Sequence, residues 1–159
     1  MKFKLKELDF KQITFNKTPL NNGTVVNLKY NENSLEFQTP KLIIESLIKE
    51  NEHEYLNLKI KGTEACKFFC SKILELESFF SNSLKNQIKT IFNEDNFIVK
   101  IPFKYSKPLV KVYKNDSLFN YYHLTKDLEI ICLLELDKLW INNSNEPNYN
   151  LIVKEIMVI

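Results

Sequence analysis

Apolar and polar residues alternate along most of this chain, and the period becomes helical in a single region. Residues 34–40 and 54–61 place an apolar side chain at every second position, the pattern of strands with one buried face. Residues 63–92 instead repeat apolar side chains every three or four positions. The chain has 159 residues, 44% of them hydrophobic, enough for one domain with a core. We therefore expect a mainly β fold (α+β by content) over residues 1–159, a small barrel or sandwich with a helical element inserted at about 63–92.

The helical region has a recognisable start and a predicted interruption. Thr63 is a suitable N-cap, and the stripe of apolar residues after it continues to Leu84. The Ser-Asn-Ser run at 81–83 predicts a break, with a second short helix at 84–92. Residues 42–48 fit either a strand or a short helix, and the apolar run 128–142 is long enough for one central strand.

Lysines and aromatic residues alternate between positions 97 and 115, on both sides of a turn at 106–108. The cations are Lys100, Lys104, Lys107, Lys111 and Lys114, and the aromatic residues between them are Phe103, Tyr105 and Tyr113. Phosphates attract cations and every base has a face that can stack, so this pattern suits a single-stranded nucleic-acid binder. The alternative is a solvated strand face whose aromatic residues point inward.

Strand alternation restricts which of these residues can act together. In an unbroken strand Lys100 and Lys104 share one face, and Phe103 lies on the other. We therefore expect Phe103 in the core unless the turn at 106–108 twists the face around. Lys111 and Tyr113 share a face by the same rule.

All 22 basic residues are lysines, and the net charge is only +2. Arginine recognises guanine edges with two parallel hydrogen bonds, whereas lysine acts as a mobile point charge. A chain without arginine is poorly equipped to read a duplex sequence but can still follow a phosphate backbone. Any nucleic-acid binding is therefore expected to have low sequence specificity.

The sequence offers little support for catalysis, a cofactor or a metal. His53 and His123 lie far apart, and two glycines in the whole chain cannot build a glycine-rich phosphate loop. Cys66 and Cys70 would share one helix face, but no second close pair accompanies them, so half-buried cysteines are the better interpretation. We expect no enzyme activity, no cofactor and no metal.

The cysteines and the apolar runs bear on the compartment. Three cysteines without framework spacing and no apolar run near the ~20 residues of a membrane span predict an intracellular, reducing location without membrane attachment.

Two aromatic features keep two interpretations each. Trp140 follows an apolar run and precedes a polar loop, so it either caps the core or offers a platform for a base. Tyr121 and Tyr122 are adjacent, so in a strand one of them faces outward, as a surface residue or as another platform.

The order of these segments resembles the single-stranded-DNA-binding proteins of large nucleocytoplasmic DNA viruses. The resemblance runs from about residue 34 through LEFQTPKL, FFCSKILELE, FIVKIPF, VKVYKND and LDKLWIN to the final strand. That family is similar to the replication binders of short-tailed phages, which are built on an oligonucleotide-binding (OB) barrel. The resemblance implies one OB-like domain that binds single-stranded DNA without sequence specificity in replication, recombination or repair, without catalysis or metal.

The resemblance also implies which residues contact the strand and which features are missing. The matching positions are the basic and aromatic residues of 97–114 together with Lys41, whereas Trp140 matches a tryptophan that is structural in the family. Phage-type binders end in an acidic tail that recruits partners, but this chain ends in Val158 and Ile159. A glycine common in the last loop is replaced here by residues 148–150, Asn-Tyr-Asn.

The expected partners are single-stranded DNA, with RNA left open, replication proteins and a second copy of the chain. If the protein is viral, it acts in the replication compartment of the host cell. The main alternative is a structural or adaptor protein of a virion or replication complex that works through protein contacts. A transcription factor reading duplex DNA is a weaker alternative, because arginine is absent.

Overall fold

The computed structural model describes residues 2–3 and 5–159, with side chains from Leu5 onward. The helix α1 spans Glu64–Leu84, and short 3₁₀ helices span Leu5–Glu7, Phe10–Gln12 and Tyr121–His123. The strands in chain order are β1 (Lys2–Phe3), β2 (Ile13–Leu20), β3 (Gly23–Tyr30), β4 (Leu35–Gln38), β5 (Leu42–Glu50), β6 (His53–Lys59), β7 (Phe92–Asn93), β8 (Asn96–Ile101), β9 (Phe103–Lys104), β10 (Lys107–Pro108), β11 (Lys111–Lys114), β12 (Ser117–Leu118), β13 (Glu129–Leu136), β14 (Lys138–Asn142), β15 (Pro147–Tyr149) and β16 (Leu151–Val158).

Five of these strands close into a barrel. The hydrogen-bonded order is β13–β5–β6–β8–β16, and β16 pairs back with β13. Numbered along the chain, the barrel strands neighbour one another in the order 1-2-3-5-4-1, with β8 and β16 parallel. This is a Greek-key barrel of the OB type. The predicted mainly β fold with one helical insertion is confirmed.

The alternation in the sequence places the barrel core. On β6, Leu56 and Leu58 are fully buried, while the alternate residues Tyr55 and Asn57 face outward and are half-buried. On β8, Phe97, Val99 and Ile101 are buried in the same way. Because side chains alternate across a strand, burying one set of residues leaves a second set on the outer face of the barrel.

Helix α1 is a single helix, so the predicted break at 81–83 and the second helix at 84–92 are wrong. Thr63 is the N-cap, as expected, and its Oγ1 accepts a hydrogen bond from the Cys66 amide at 3.2 Å. Within the helix, the Ser81 hydroxyl donates to the Glu77 carbonyl at 3.0 Å and accepts from the Ile88 amide at 3.0 Å. Serine therefore does not end the helix, which instead stops where Lys85 adopts a left-handed conformation (φ 58°).

The helix packs between the barrel and a second sheet. The ring of Phe69 lies 6.4 Å from Phe37 and 5.7 Å from Phe97, both on the barrel side. Further along the helix, Phe80 contacts Phe15 and Tyr149, which belong to the second sheet. These aromatic contacts join the two sheets and the helix into one core.

The second sheet has the strand order β15–β14–β3–β2. It corrects the expectation that 128–142 is one central strand, because the run divides at Asp137 into the barrel strand β13 and the strand β14 of the second sheet. The Asp137 carbonyl accepts a hydrogen bond from the Leu28 amide of β3 at 2.8 Å. A continuous apolar run cannot reveal such a transfer, since both strands bury one face.

Candidate nucleic-acid interface

A groove crosses the outer face of the barrel over β6 and β8. It consists of three adjoining depressions of about 690, 440 and 240 Å³. The first two share Lys89, Thr90, Ile91 and Ile98, and the last two share residues 148–150. The depressions are therefore continuous, and we call them together the barrel groove.

The floor of the barrel groove is a row of side chains from adjacent strands. Tyr55 on β6 lies directly opposite Lys100 on β8, and the row continues to Ile48 on β5 and Ile152 on β16. Ile98, 44% exposed, belongs to the next row. An aromatic ring beside an ammonium group on an apolar floor can offer a base a stacking face and a phosphate a cation.

One wall is formed by β14 and β15, and its tryptophan depends on a glycine. Trp140 lines the groove beside Lys100 and is half-buried. Its ring also lies against Gly23 (φ +151°), where an added Cβ would be 2.6 Å from the ring and 2.4 Å from the Ile141 carbonyl oxygen. Only glycine leaves room for the ring there. Trp140 thus packs on Gly23 and also lines the groove, so it fits both sequence-based interpretations.

The segment 89–91 continues this wall beyond β15, and a buried carboxylate holds it in place. Glu77 of α1 is 5% exposed, and its Oε2 accepts hydrogen bonds from the Ile91 amide at 2.9 Å and the Tyr149 hydroxyl at 2.5 Å. The Lys89 amide donates to the Pro147 carbonyl at 2.9 Å. Burial raises the pKa of Tyr149 well above its usual value, and the neighbouring Glu77 carboxylate raises it further. Glu77 therefore ties β15 and the adjoining segment 89–91 to the helix.

Charges of both signs line the barrel groove. The cations are Lys89, Lys100 and Lys138, and the carboxylates are Glu50, Glu94, Asp137 and Glu146. The groove itself is therefore not a strongly positive surface. Its suitability for a nucleic acid comes from its length and its apolar floor with cations placed along it, rather than from an excess of charge.

Lys100 is the single predicted contact residue that lines the barrel groove in the described part of the chain. Phe103 is half-buried and packs edge-to-face on Tyr121 with ring centroids 6.0 Å apart, in keeping with the expectation that it belongs to the core. Lys104, Tyr105 and Lys107 lie on the exposed hairpin that β9 and β10 form immediately after β8.

Lys111, Tyr113 and Lys114 lie further along the same edge of β16. That edge pairs with β8 at Ile152 and with β11 from Glu155 onward, so Lys111 is about 10 Å beyond Lys100 along the strand. Tyr113 lines a separate depression of about 550 Å³ beside Met157, which we call the C-terminal depression. Its charged lining residues, among those described, are acidic: Asp116 and Glu155.

Lys41 lies apart from the barrel groove, beside the first turn of α1. Its carbonyl accepts a hydrogen bond from the Cys66 thiol at 3.6 Å, and its charge acts on Glu129. Glu129 pairs with Lys61, and hydrogen bonding from that lysine lowers the pKa of the Glu129 carboxyl. Lys41 and the groove residues therefore belong to different surfaces of the barrel.

Several groove residues were not selected from the sequence. Tyr55, Lys89, Ile98 and Lys138 line the groove, but they lie on four different segments of the chain. Tyr55 had one usable signal, since it precedes Leu56 in a clean alternation and so had to face outward. Nothing in the sequence indicated that these segments meet.

Tyr121 and Tyr122 lie on a 3₁₀ helix rather than on a strand. Tyr121 is buried and Tyr122 is 60% exposed, so one ring does face outward.

Among residues 5–159 no three metal-ligating side chains come together. None of the helices in the described residues could span a membrane.

No protein-family model matches the sequence, and no curated protein does either. Among solved structures, the chain is similar to gp2.5, a single-stranded DNA binding protein encoded by bacteriophage T7. The TM-score is 0.56 at 10% sequence identity, over 78% of this chain and 91% of the phage protein. At that identity the likeness concerns the fold. This chain therefore has an OB-like barrel fold that it shares with a phage single-stranded DNA binding protein.

Proposed function

We propose that this protein binds single-stranded DNA without sequence specificity, with the strand lying in the barrel groove. The observation that supports it most is the open groove over the second and third strands of an OB-like barrel. That face and the loops beside it are where OB-fold proteins hold oligonucleotides. The groove places Tyr55 against Lys100 at its centre and Trp140 on its wall.

The proposed contacts divide by chemistry. Lys89, Lys100 and Lys138 neutralise phosphates, while Tyr55 and Trp140 offer faces on which bases of any sequence can stack. The apolar floor at Ile98 and Ile152 suits the faces of unpaired bases, which stacking and pairing keep inside a duplex. The lack of arginine supports low sequence specificity.

The setting that we propose is DNA replication, recombination or repair of a viral-type genome, in the compartment where that genome is copied. It is supported by the resemblance of the sequence to viral binders and by the fold shared with a phage binder. We propose no catalytic step, since the groove serves binding alone.

Titration of a fluorescent oligo-dT at several salt concentrations tests the proposal. We expect affinity that falls steeply with salt. The slope should be flatter for the double variant Lys89→Glu with Lys100→Glu, by about 0.7 for each phosphate that is no longer neutralised. The matched control is Lys29→Glu with Lys67→Glu, two exposed lysines outside the groove. An absence of binding by the unaltered protein at ~50 mM salt would overturn the proposal.

The C-terminal depression favours the adaptor function as a second candidate. Met157 and Ile159 are each 47% exposed at its rim, and Leu118 on the adjoining edge strand β12 is 81% exposed. Size-exclusion chromatography with and without a ~20-nucleotide oligomer separates the two functions. Self-assembly of the protein that does not depend on the oligonucleotide and that Met157→Lys abolishes would favour the adaptor function.

A further inference from the structure

The hairpin of β9 and β10 has a turn that its own sequence disfavours. Tyr105 and Ser106 form the two-residue turn, with φ 51° and 62°. Such turns need the left-handed conformation at both positions, for which Asn and Gly are best suited. A bulky side chain at positive φ is uncommon.

The remainder of the chain provides an internal comparison. Four two-residue turns in the described residues have both positions at positive φ, and three of them begin with asparagine: Asn31, Asn51 and Asn115. The fourth begins with Tyr105. The same chain thus uses the favourable residue at the other three turns, which indicates that Tyr105 is present for a reason other than the turn.

The strands beside this turn also oppose two like charges. Lys104 lies directly across from Lys107, an arrangement that is destabilising in a hairpin. No described carboxylate forms an ion pair with either lysine. A ligand that brings negative charge would remove this repulsion, and a polyanion does so for both lysines at once.

The base of the hairpin is anchored while its tip is free. Phe103 packs on Tyr121, whose hydroxyl donates to Glu54 of β6 at 3.1 Å, and the Leu109 amide donates to the Pro102 carbonyl at 2.8 Å. At the tip, Tyr105 is 89% exposed, with the Lys104 ammonium 5.5 Å from its ring centroid. The aromatic face is therefore presented to solvent on a fixed support.

We propose that this hairpin is a second contact for the single strand, outside the barrel groove. Tyr105 stacks on one unpaired base, and Lys104 and Lys107 bind the phosphates that flank it. The hairpin begins soon after Lys100, on the chain segment that follows β8. A DNA strand that leaves the groove along β8 therefore reaches the hairpin next. This inference rests on the proposed function and adds a separate element to it.

The test compares two substitutions at the tip. Tyr105→Asn installs the residue used by the other three turns, so we expect a melting temperature equal to or above that of the unaltered protein. We also expect it to bind oligo-dT at least about fivefold more weakly, because the stacking face is removed. Tyr105→Phe retains the face and is expected to bind within about twofold of the unaltered protein.

The outcomes separate this inference from the proposed function. Binding by the unaltered protein that the groove variant weakens and Tyr105→Asn leaves unchanged overturns the hairpin contact alone. Equal weakening in Tyr105→Asn and Tyr105→Phe overturns stacking in favour of the hydroxyl group. A failure of the unaltered protein to bind oligo-dT overturns the proposed function and the hairpin contact together.

Discussion

The barrel groove and the β9–β10 hairpin differ in shape and in charge, although both belong to the proposed DNA-binding surface. The groove is a concave surface that buried residues hold in place, and lysines and carboxylates line it in similar numbers. The hairpin projects from the barrel, and it carries two lysines and no carboxylate. A chain with a net charge of only +2 can therefore concentrate cations at one hairpin while the proposed binding floor stays close to neutral.

The largest effect is expected where the groove depends on the core. Glu77→Ala leaves the Tyr149 hydroxyl and the Ile91 amide without their acceptor, which should lower the free energy of unfolding by about 2–4 kcal/mol. Urea denaturation measures this change. Glu75→Ala, on the exposed face of the same helix, is the control and should change stability by less than about 0.5 kcal/mol. Equal destabilisation in the two variants would contradict the role of Glu77.

The second effect separates stacking in the groove from stacking on the hairpin. Tyr55→Leu keeps an apolar side chain on the floor but removes the ring, and it should weaken oligo-dT binding by about 1–3 kcal/mol. Fluorescence anisotropy at constant salt measures the change. Combined with Tyr105→Asn, the two effects should add, because the two rings contact different bases. If the double variant binds oligo-dT no more weakly than the weaker-binding single variant, both rings contact the same base.

The third effect compares the charges of the two regions. Lys104→Gln with Lys107→Gln should flatten the plot of log affinity against log salt by about 1.4, which corresponds to two phosphate contacts on a single strand. Lys89→Gln with Lys100→Gln should flatten it by a similar amount. Titrations at several salt concentrations measure both slopes. A slope changed only by the groove pair would remove the hairpin from the electrostatic contact.

The smallest effect is expected away from both regions, at the Lys61–Glu129 pair. The pKa of Glu129 is lowered from its ordinary value of 4.5, so the pair stabilises the fold above that pH and the contribution disappears as pH falls through the lower, folded-state value. Lys61→Met should remove this part of the pH dependence of the melting temperature. It should leave oligo-dT affinity unchanged, and a weaker affinity would place Lys41 and its neighbours in the interface.

Predictions from sequence succeeded where a local pattern had one interpretation. Alternation identified the inward residues Leu56 and Leu58, and Thr63 was correctly recognised as the N-cap. Prediction failed where a hydrogen bond that the local pattern does not reveal outweighed the local preference of a residue or run. Ser81 stays helical because its hydroxyl bonds within the helix and to Ile88, and the run 128–142 divides because Asp137 bonds to β3.

The candidate site shows the same limit. The lysine and aromatic pattern of 97–114 was visible in the sequence, but the structure distributes it among the groove, the hairpin and the C-terminal depression. The groove residues Tyr55, Lys89 and Trp140 are far apart in the chain, so no local pattern could group them.

Local period was enough to predict the mainly β fold and one helical region, and the lack of arginine predicts a low capacity to read a base sequence. Which outward side chains meet depends instead on how the strands pair across the whole fold. The closing of β16 on β13 brings distant strands together, and the register between β6 and β8 sets Tyr55 opposite Lys100. Register and closure are cooperative properties of the whole barrel, since each strand's position depends on its neighbours.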